Sequence, residues 1–180
     1  MTTLKERYIK DVRPALAKEL GLKNPMALPK VVSVTVAVGL SQGLKDPKFT
    51  ENAESVVTRI TGQKAVRTKA KISISNFKIR EGMVVGLRVT LRGERMWSFL
   101  DKLVNITFPR IRDFRGISPK LLDKNGNMSI GFKEFLAFPE IRPDEVERVH
   151  GLQVTISTTA GNKKAGEALF TALGFPFKKD

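Results

Sequence analysis

Cysteine is absent from the chain, and histidine occurs only once, at His150. Without thiols there can be no disulfide, iron–sulfur cluster or thiolate-bound zinc, and a single imidazole excludes a His-rich metal site. No apolar stretch approaches the roughly 20 residues of a membrane span. The N-terminus, MTTLKERYIKDVRPAL, has no apolar signal segment. We therefore expect a soluble cytosolic protein with no metal or other cofactor.

Acidic residues are scarce relative to basic ones: 18 Asp and Glu stand against 32 Lys and Arg, a net charge of +14. An excess of this size favours an anionic partner, which on charge alone could be RNA, DNA or a membrane surface. The chain has 180 residues, of which 41% are hydrophobic. This is enough for one sizeable core, and we expect residues 1–180 to form a single domain.

Three segments alternate apolar with polar residues and are predicted to be strands: 31–38, 84–92 and 152–158. In the first, Val32, Val34, Val36 and Val38 are expected to share the buried face. Amphipathic helices are predicted over 3–20, from Asp46-Pro47 to Gly62, over 94–106 and over 163–173. The pattern predicts an α+β fold, in which helices cover one face of an antiparallel sheet and leave the other face open.

Three local features carry further predictions. Pro14 should kink the first helix or split it in two, and Pro109 should stop the third. The dipeptide Asn125-Gly126 is typical of a hairpin turn of the primed type. His150, just before a strand, is expected to be an ordinary surface or loop histidine.

The open face of the predicted sheet is polar and basic. By alternation it presents Ser33, Thr35, Arg88, Thr90, Arg92, Gln153, Thr155 and Ser157. A plain solvated face is the simplest alternative, but this one carries two arginines and no acid. It also lacks the aromatic residues with which proteins stack single-stranded bases. Short hydroxyls, Gln and Arg suit the 2′-hydroxyls, phosphates and base edges of a folded RNA.

A basic loop adjoins this face. The residues from Lys64 to Arg80 include six Lys or Arg and no acid before Glu81. Basic side chains interleaved with Ser, Thr and Asn suit the phosphates of a polyanion. A solvated charged loop remains the alternative, because most charge runs are of that kind.

Several stretches of the chain, in order, carry a resemblance to a known family. They are TGQKAVRTKAK, SISNFKIREGM, GLRVTLRGERMW, PRIRDFRGI, FPEI and GFPFKK. With them, the sequence resembles, essentially end to end, the bacterial large-subunit ribosomal proteins of the L-five family, which bind 5S rRNA. PRIRDFRGISPK (residues 109–120) fits either a second RNA or protein contact or a solvated loop anchored by Phe114.

The resemblance implies a place in the central protuberance of the large ribosomal subunit. It implies binding to 5S rRNA, a link to 23S rRNA, and contact with peptidyl-site tRNA through the loop from about residue 69 to 85. It also implies as neighbours the large-subunit proteins L-eighteen and L-twenty-five and the small-subunit protein S-thirteen. No small-molecule substrate and no membrane belong to this role.

Site residues follow from the resemblance together with the charge pattern. Gln63 and Thr90 match family positions that contact 5S rRNA, whereas Ala37 stands where the family usually has Asn. One polar contact worth roughly 1 kcal/mol is therefore expected to be missing. The 5S rRNA set is Thr35, Gln63, Lys64, Arg67, Lys69, Arg88, Thr90 and Arg92. The tRNA-contacting set is Lys71, Ser73, Ser75, Asn76, Phe77, Lys78 and Arg80.

Two other functions compete with an RNA scaffold. A nuclease would need a metal-binding carboxylate cluster or a His/Lys acid–base pair, and the sequence shows neither. A general nucleic-acid or membrane coat would bind weakly, without preference, and would lose affinity steeply with salt. The ordered strand pattern and the long matching stretches favour the scaffold, so no enzymatic activity is expected.

Overall fold

A computed structural model describes residues 3–41, 46–112, 114–142 and 148–178. Asp113 and Lys179, which belong to two of the stretches that carry the resemblance, lie outside these residues. The fold is α+β, as the sequence predicts. It consists of a five-stranded antiparallel sheet with helices packed on it.

The five strands occur in the order β2-β3-β1-β5-β4 across the sheet. Their bounds are β1 Val31–Gly39, β2 Val66–Lys69, β3 Val84–Leu91, β4 Met128–Phe132 and β5 Leu152–Thr158. The three predicted strands are confirmed as β1, β3 and β5. The short strands β2 and β4 were not predicted, because four or five residues give alternation too few repeats to be recognised.

Six α-helices are described. Their bounds are α1 Leu4–Arg7, α2 Arg13–Leu20, α3 Pro47–Thr61, α4 Gly93–Lys102, α5 Phe108–Arg110 and α6 Lys163–Ala172. The limits of α3 follow the sequence signals closely. Asp46 Oδ1 accepts hydrogen bonds from the backbone N–H of Lys48 (3.1 Å) and Phe49 (3.4 Å), and Pro47 is the first helical residue. Gly62, with φ +66°, ends the helix in the left-handed conformation.

A π-helical turn precedes both Pro14 and Pro109. Tyr8–Val12 connects α1 to α2 before Pro14, and Leu103–Thr107 connects α4 to α5 before Pro109. A π-turn widens the helix by one residue, which makes room for a ring that would otherwise clash with the preceding turn. Pro14 therefore does not split its helix, and Pro109 does not stop its helix, which continues to Arg110.

The chain packs as two compact units. Unit one comprises Met1–Val34, Leu91–Ile130 and Thr155–Asp180, and unit two comprises Thr35–Thr90 and Gly131–Val154. In unit one, the rings of Tyr8 and Trp97 pack with centroids 5.3 Å apart. Unit two holds all the predicted RNA-contacting residues except Arg92. The single domain over residues 1–180 stays a prediction.

The start of β1 differs from the predicted alternation. Val34, Val36 and Val38 are buried as predicted, but Val32 is 45% exposed and Ser33 only 9% exposed. Alternation assigns residues to opposite sides of a strand, but what covers each side depends on the tertiary structure. At this end of β1, the side of Val31 and Ser33 is the covered one. Ser33 is therefore not part of an exposed polar face.

The turn at Asn125-Gly126 is not of the primed type. Gly126 has φ +80°, but Asn125 does not have the positive φ that a type I′ turn requires. Asp123 organises the turn instead, because its Oδ1 accepts from the backbone N–H of Asn125 (2.9 Å) and Asn127 (2.7 Å). Burial raises the pKa of the Asp123 carboxyl, but hydrogen bonds from Asn127, Asn125 and Gly126 outweigh it and lower the pKa.

His150 lies in a loop before β5, as one half of the prediction has it, but it is not a surface histidine. It is 7% exposed, and its ring lies 4.5 Å from that of Phe135 and 6.0 Å from that of Phe49. Its Nδ1 lies 3.3 Å from the carbonyl oxygen of Gly151, while Nε2 is buried with no hydrogen-bond partner among the described residues. Burial lowers the pKa of His150, and the hydrogen bond to Gly151 offsets part of this effect.

Candidate nucleic-acid interface

The pairing of β2 with β3 determines which basic residues face away from the helices. Residues paired directly across an antiparallel ladder lie on the same face. Val66 pairs with Arg88, and Arg67 pairs with Leu87. Leu87 is 1% exposed and belongs to the core, whereas Arg88 is exposed. Arg88 therefore lies on the open face, and Arg67 lies on the face covered by helices.

Arg67 forms an ion pair with helix α3. Its Nε lies 2.8 Å and its Nη2 2.7 Å from Glu54 Oε2. Arg67 and Arg88 both belong to the predicted 5S rRNA set. In the structure the two arginines lie on opposite faces of the sheet, and one of them already has a carboxylate partner.

Gln63 and Thr90, the two positions matched to 5S rRNA contacts, lie side by side. The Gln63 side-chain amide donates a hydrogen bond to the backbone carbonyl of Thr90 (3.4 Å). Thr61 supports this corner, because its single hydroxyl proton is shared between the carbonyls of Val57 (2.7 Å) and Gln63 (3.0 Å). Both Gln63 and Thr90 are half-buried, so each exposes part of its side chain to a partner.

The other residues of the predicted 5S rRNA set divide by exposure. Lys64 and Lys69 are exposed in unit two, and Thr35 is half-buried there. Arg92 is exposed in unit one, where it directly precedes α4. The structure thus brings Thr35, Gln63, Lys64, Lys69, Arg88 and Thr90 into one unit with at least part of each side chain accessible.

A shallow depression of about 510 Å³ lies on the open face of unit two. It is lined by residues of all five strands or their ends: Ala37, Val38, Gly39, Thr68, Val85, Gly86, Leu87, Arg88, Phe132, Gly151, Leu152 and Gln153. Alternation predicts Gln153 on the open face, but neither Gln153 nor Thr68 belongs to the predicted binding residues. Alternation predicts the face on which a strand residue lies. The proximity of Gln153 and Thr68 to Ala37 and Arg88 depends instead on the order of the strands in the sheet.

The basic loop between β2 and β3 is a hydrogen-bonded hairpin. At its base, Ala70 N–H donates to the carbonyl of Met83 (2.8 Å). Further out, Ile74 and Ile79 exchange two backbone hydrogen bonds of 2.9 and 3.1 Å. A single 3₁₀ turn, Ser75–Phe77, closes the tip, followed by Lys78 in the left-handed conformation (φ +55°). The tip is therefore an ordered turn beyond a bridged pair of isoleucines.

Every residue predicted to contact tRNA is exposed. These are Lys71, Ser73, Ser75, Asn76, Phe77, Lys78 and Arg80. Phe77 is 69% exposed and Ile72 67% exposed, so the loop combines positive charge with accessible apolar surface. The Ser73 hydroxyl accepts a hydrogen bond from the backbone N–H of Glu81 (2.9 Å), which joins the two arms of the hairpin. Such a tip can pair with phosphates and pack against a base or sugar.

The basic stretch from residue 109 onward is tied to the C-terminal segment within unit one. Phe114 stacks on the buried Phe108, with ring centroids 5.3 Å apart and planes at 13°. Ile117 and Phe177 form a parallel bridge. The anchoring of Phe114 is confirmed, and Arg110, Arg112 and Arg115, which flank it in the sequence, each keep at least part of the side chain accessible. Both alternatives for this stretch, an RNA or protein contact and a solvated loop, stay predictions.

Neither of two other kinds of site is found in the described part of the chain. No group of three or more His, Asp or Glu residues there is placed to hold a metal ion. Likewise, among the helices that the structure describes, none is long and apolar enough to cross a membrane. The geometry of unit two thus offers exposed cations, amides and hydroxyls on a sheet face and a hairpin, which suits binding to a polyanion.

Comparison with known proteins gives consistent matches along the chain. Residues 24–80 match the family model described as "Ribosomal protein L5", and residues 84–177 match the model of the C-terminus of the same ribosomal family. The protein of Desulfotalea psychrophila is 49% identical over 179 residues, 99% of this chain and 100% of the relative. That of Prochlorococcus marinus (strain MIT 9211) is 51% identical over 176 residues, 98% of each chain. Both relatives are named "Large ribosomal subunit protein uL5".

Proposed function

The chain belongs to the ribosomal protein L5 family, and from this premise we propose that it binds 5S rRNA through the open sheet face of unit two and links it to 23S rRNA. A member of this family is a structural component of the large ribosomal subunit and not an enzyme. Its place is on the ribosome, with ribosomal RNA as its partner. In the bacterial cytoplasm it would stand in the central protuberance of the large subunit.

One observation carries the assignment of the 5S rRNA surface. Gln63 is hydrogen-bonded to the strand carbonyl of Thr90, and Arg88 on the same strand extends from the face that the helices do not cover. This arrangement combines a charge for phosphate with an amide and a hydroxyl for directional contacts. The Gln63 bond to the backbone fixes the side-chain orientation before RNA arrives, which lowers the entropic cost of binding.

The hairpin between β2 and β3 supports a separate role. Its tip lies beyond the Ile74–Ile79 bridge, and its exposed cations and Phe77 are available to a second RNA. We assign this tip to peptidyl-site tRNA. The division of labour leaves Gln63, Thr90 and Arg88 to 5S rRNA and residues 71–80 to tRNA.

Protein neighbours complete the proposal. L-eighteen and L-twenty-five would adjoin the chain on the large subunit, and S-thirteen would meet it from the small-subunit head. The accessible arginines around Phe114 offer an additional basic surface for RNA or a protein of the subunit.

Binding of the purified protein to 5S rRNA at physiological salt tests the function directly. Transfer RNA and an unrelated RNA duplex serve as competitors. A preference for 5S rRNA by roughly a thousandfold is expected, within the range of specific nucleic-acid recognition. Equal affinity for all three RNAs would instead indicate a general coat whose binding depends on charge alone.

A further inference from the structure

The floor of the depression on unit two is kept bare by glycine and alanine. Ala37, Gly39, Gly86 and Gly151 contribute little or no side chain to it. A Cβ atom at Gly86 would lie 2.9 Å from the Val38 carbonyl oxygen and 3.0 Å from the Thr68 hydroxyl. A Cβ at Gly151 would lie 3.0 Å from the Phe132 carbonyl oxygen. Close packing therefore disfavours a side chain at Gly86, and leaves little room for one at Gly151, so the bare floor follows from how the strands pack.

Three polar side chains stand around this floor. Arg88 extends from β3 and Gln153 from β5, and both are exposed, while Thr68 of β2 is half-buried. Among the described residues that line the depression, none is Asp or Glu. Its polar chemistry therefore consists of one fixed positive charge, one amide with both donor and acceptor atoms, and one hydroxyl.

The size and lining of the depression indicate what it can hold. A volume of about 510 Å³ falls within the usual range for a small-molecule site and is large enough for one nucleotide. Phe132, the aromatic residue among the described lining residues, is 7% exposed and offers no platform for a stacked base. A bare floor that is open to solvent instead lets a sugar–phosphate backbone approach the strands closely.

We propose that this depression receives one ribose–phosphate unit of the bound RNA, with Gln153 hydrogen-bonding the ribose 2′-hydroxyl and Arg88 contacting the adjacent phosphate. The proposal rests on the proposed function and adds Gln153 as a further binding residue. A 2′-hydroxyl both donates and accepts, and it distinguishes RNA from DNA. The amide of Gln153 complements both of its roles, and the positive charge of Arg88 complements the phosphate.

The test combines Gln153→Ala with 5S rRNA in which successive segments carry 2′-deoxy sugars. Loss of one ordinary net hydrogen bond is expected to weaken binding of unmodified 5S rRNA about fivefold. In one segment, the 2′-deoxy sugars should weaken RNA binding by the wild-type protein by a similar factor. The same segment should cause no further loss of affinity in Gln153→Ala. Asn52→Ala, which removes an exposed amide on α3, is the matched control and should bind like the wild type.

A second variant tests the shape of the site without removing a polar group. Ala37→Leu places a bulky side chain on the floor and should weaken binding by more than Gln153→Ala does. Thermal unfolding of each variant establishes that the fold is intact. Wild-type affinity in both Gln153→Ala and Ala37→Leu would overturn the proposal. It would also be overturned if every deoxy segment weakened binding by Gln153→Ala as much as it weakens binding by the wild type. If the wild type itself shows no preference for 5S rRNA, the proposed function fails and this proposal fails with it. If the preference for 5S rRNA is preserved and both variants bind like the wild type, only the proposal for the depression is rejected.

Discussion

Arg67 and Glu54 are joined by two short contacts, because both Nε and Nη2 of the guanidinium lie within 2.8 Å of Glu54 Oε2. The pair ties β2 to helix α3 on the covered face of the sheet. The Glu54 side chain is only 16% exposed, whereas that of Arg67 is 48% exposed. Arg67 therefore has a structural role in joining β2 to α3, although its charge and its position in the sequence resemble those of a phosphate-binding residue.

Arg88→Ala and Arg67→Ala should have different effects. Arg88→Ala is expected to weaken 5S rRNA binding and to lower the slope of log K against log salt by about one unit, as for one lost phosphate contact. Arg67→Ala should leave this slope nearly unchanged and lower the free energy of unfolding by up to about 1 kcal/mol, since the pair is partly solvated.

Binding isotherms at several salt concentrations and chemical denaturation of both variants measure these effects. Lys18→Ala, which removes an exposed cation from α2, controls for net charge alone. An unchanged slope in Arg88→Ala would mean that this arginine does not face RNA. A lowered slope in Arg67→Ala would mean that the pair with Glu54 opens when RNA binds.

Shortening the hairpin tip should separate the two proposed RNA contacts. Replacing residues 75–78 with Asn-Gly keeps the Ile74–Ile79 bridge and closes it with a favoured two-residue turn. The variant should bind 5S rRNA like the wild type, because Gln63, Thr90 and Arg88 are untouched. Ribosomes that carry it should hold peptidyl-site tRNA less tightly, which a tRNA dissociation assay measures. Loss of 5S rRNA binding in this variant would contradict the division of labour.

Gly166→Ala should destabilise unit one, although alanine favours helices over glycine. A Cβ at Gly166 would lie 2.6 Å from the Cα and 2.7 Å from the carbonyl oxygen of Gly126. The turn around Gly126 would have to move, and overpacking of this kind costs about 2 kcal/mol. The comparison is Gly131→Ala in β4, where an added Cβ meets no atom within 4 Å. Equal unfolding free energies for the two variants would mean that the helix and the turn separate without cost.

The buried His150 should make the protein less stable in acid. Its pKa lies below 6.5 in the folded state, since burial disfavours the imidazolium, and close to 6.5 in the unfolded state. The unfolded chain therefore binds the proton more readily. The contribution of His150 to stability is fully present above pH 6.5, and it is lost progressively as the pH falls towards the folded-state pKa.

His150→Phe removes this effect and keeps a ring against Phe135 and Phe49. Because Nε2 has no hydrogen-bond partner within the described part of the fold, an apolar ring should cost little stability at pH 7.5. The stability of the wild type should fall relative to that of the variant between pH 7 and 5, as measured by urea denaturation at each pH. Parallel curves for the two proteins would show that His150 titrates equally in the folded and unfolded states.

Much of the fold could be predicted from local patterns, because period-two alternation and helix signals act over a few residues. Asp46-Pro47 and Gly62 marked α3, and alternation marked β1, β3 and β5. Predictions failed where the outcome depended on distant packing. Val32 is exposed although it was predicted to be buried, Ser33 is buried although it was predicted to be exposed, and His150 is buried against aromatic rings. The π-turns before Pro14 and Pro109 are a structural adjustment that no local propensity indicates.

The sequence by itself indicated an anionic partner and an open polar face, because net charge and strand alternation are properties of the chain alone. It also placed Thr90 and Arg88 on one side of one strand. Only the tertiary structure decided that Arg67 faces helix α3, that Gln63 reaches the Thr90 carbonyl, and that Gln153 lines the same depression as Arg88. These relationships depend on ladder register and strand order, which long-range packing sets and which no short window of sequence contains.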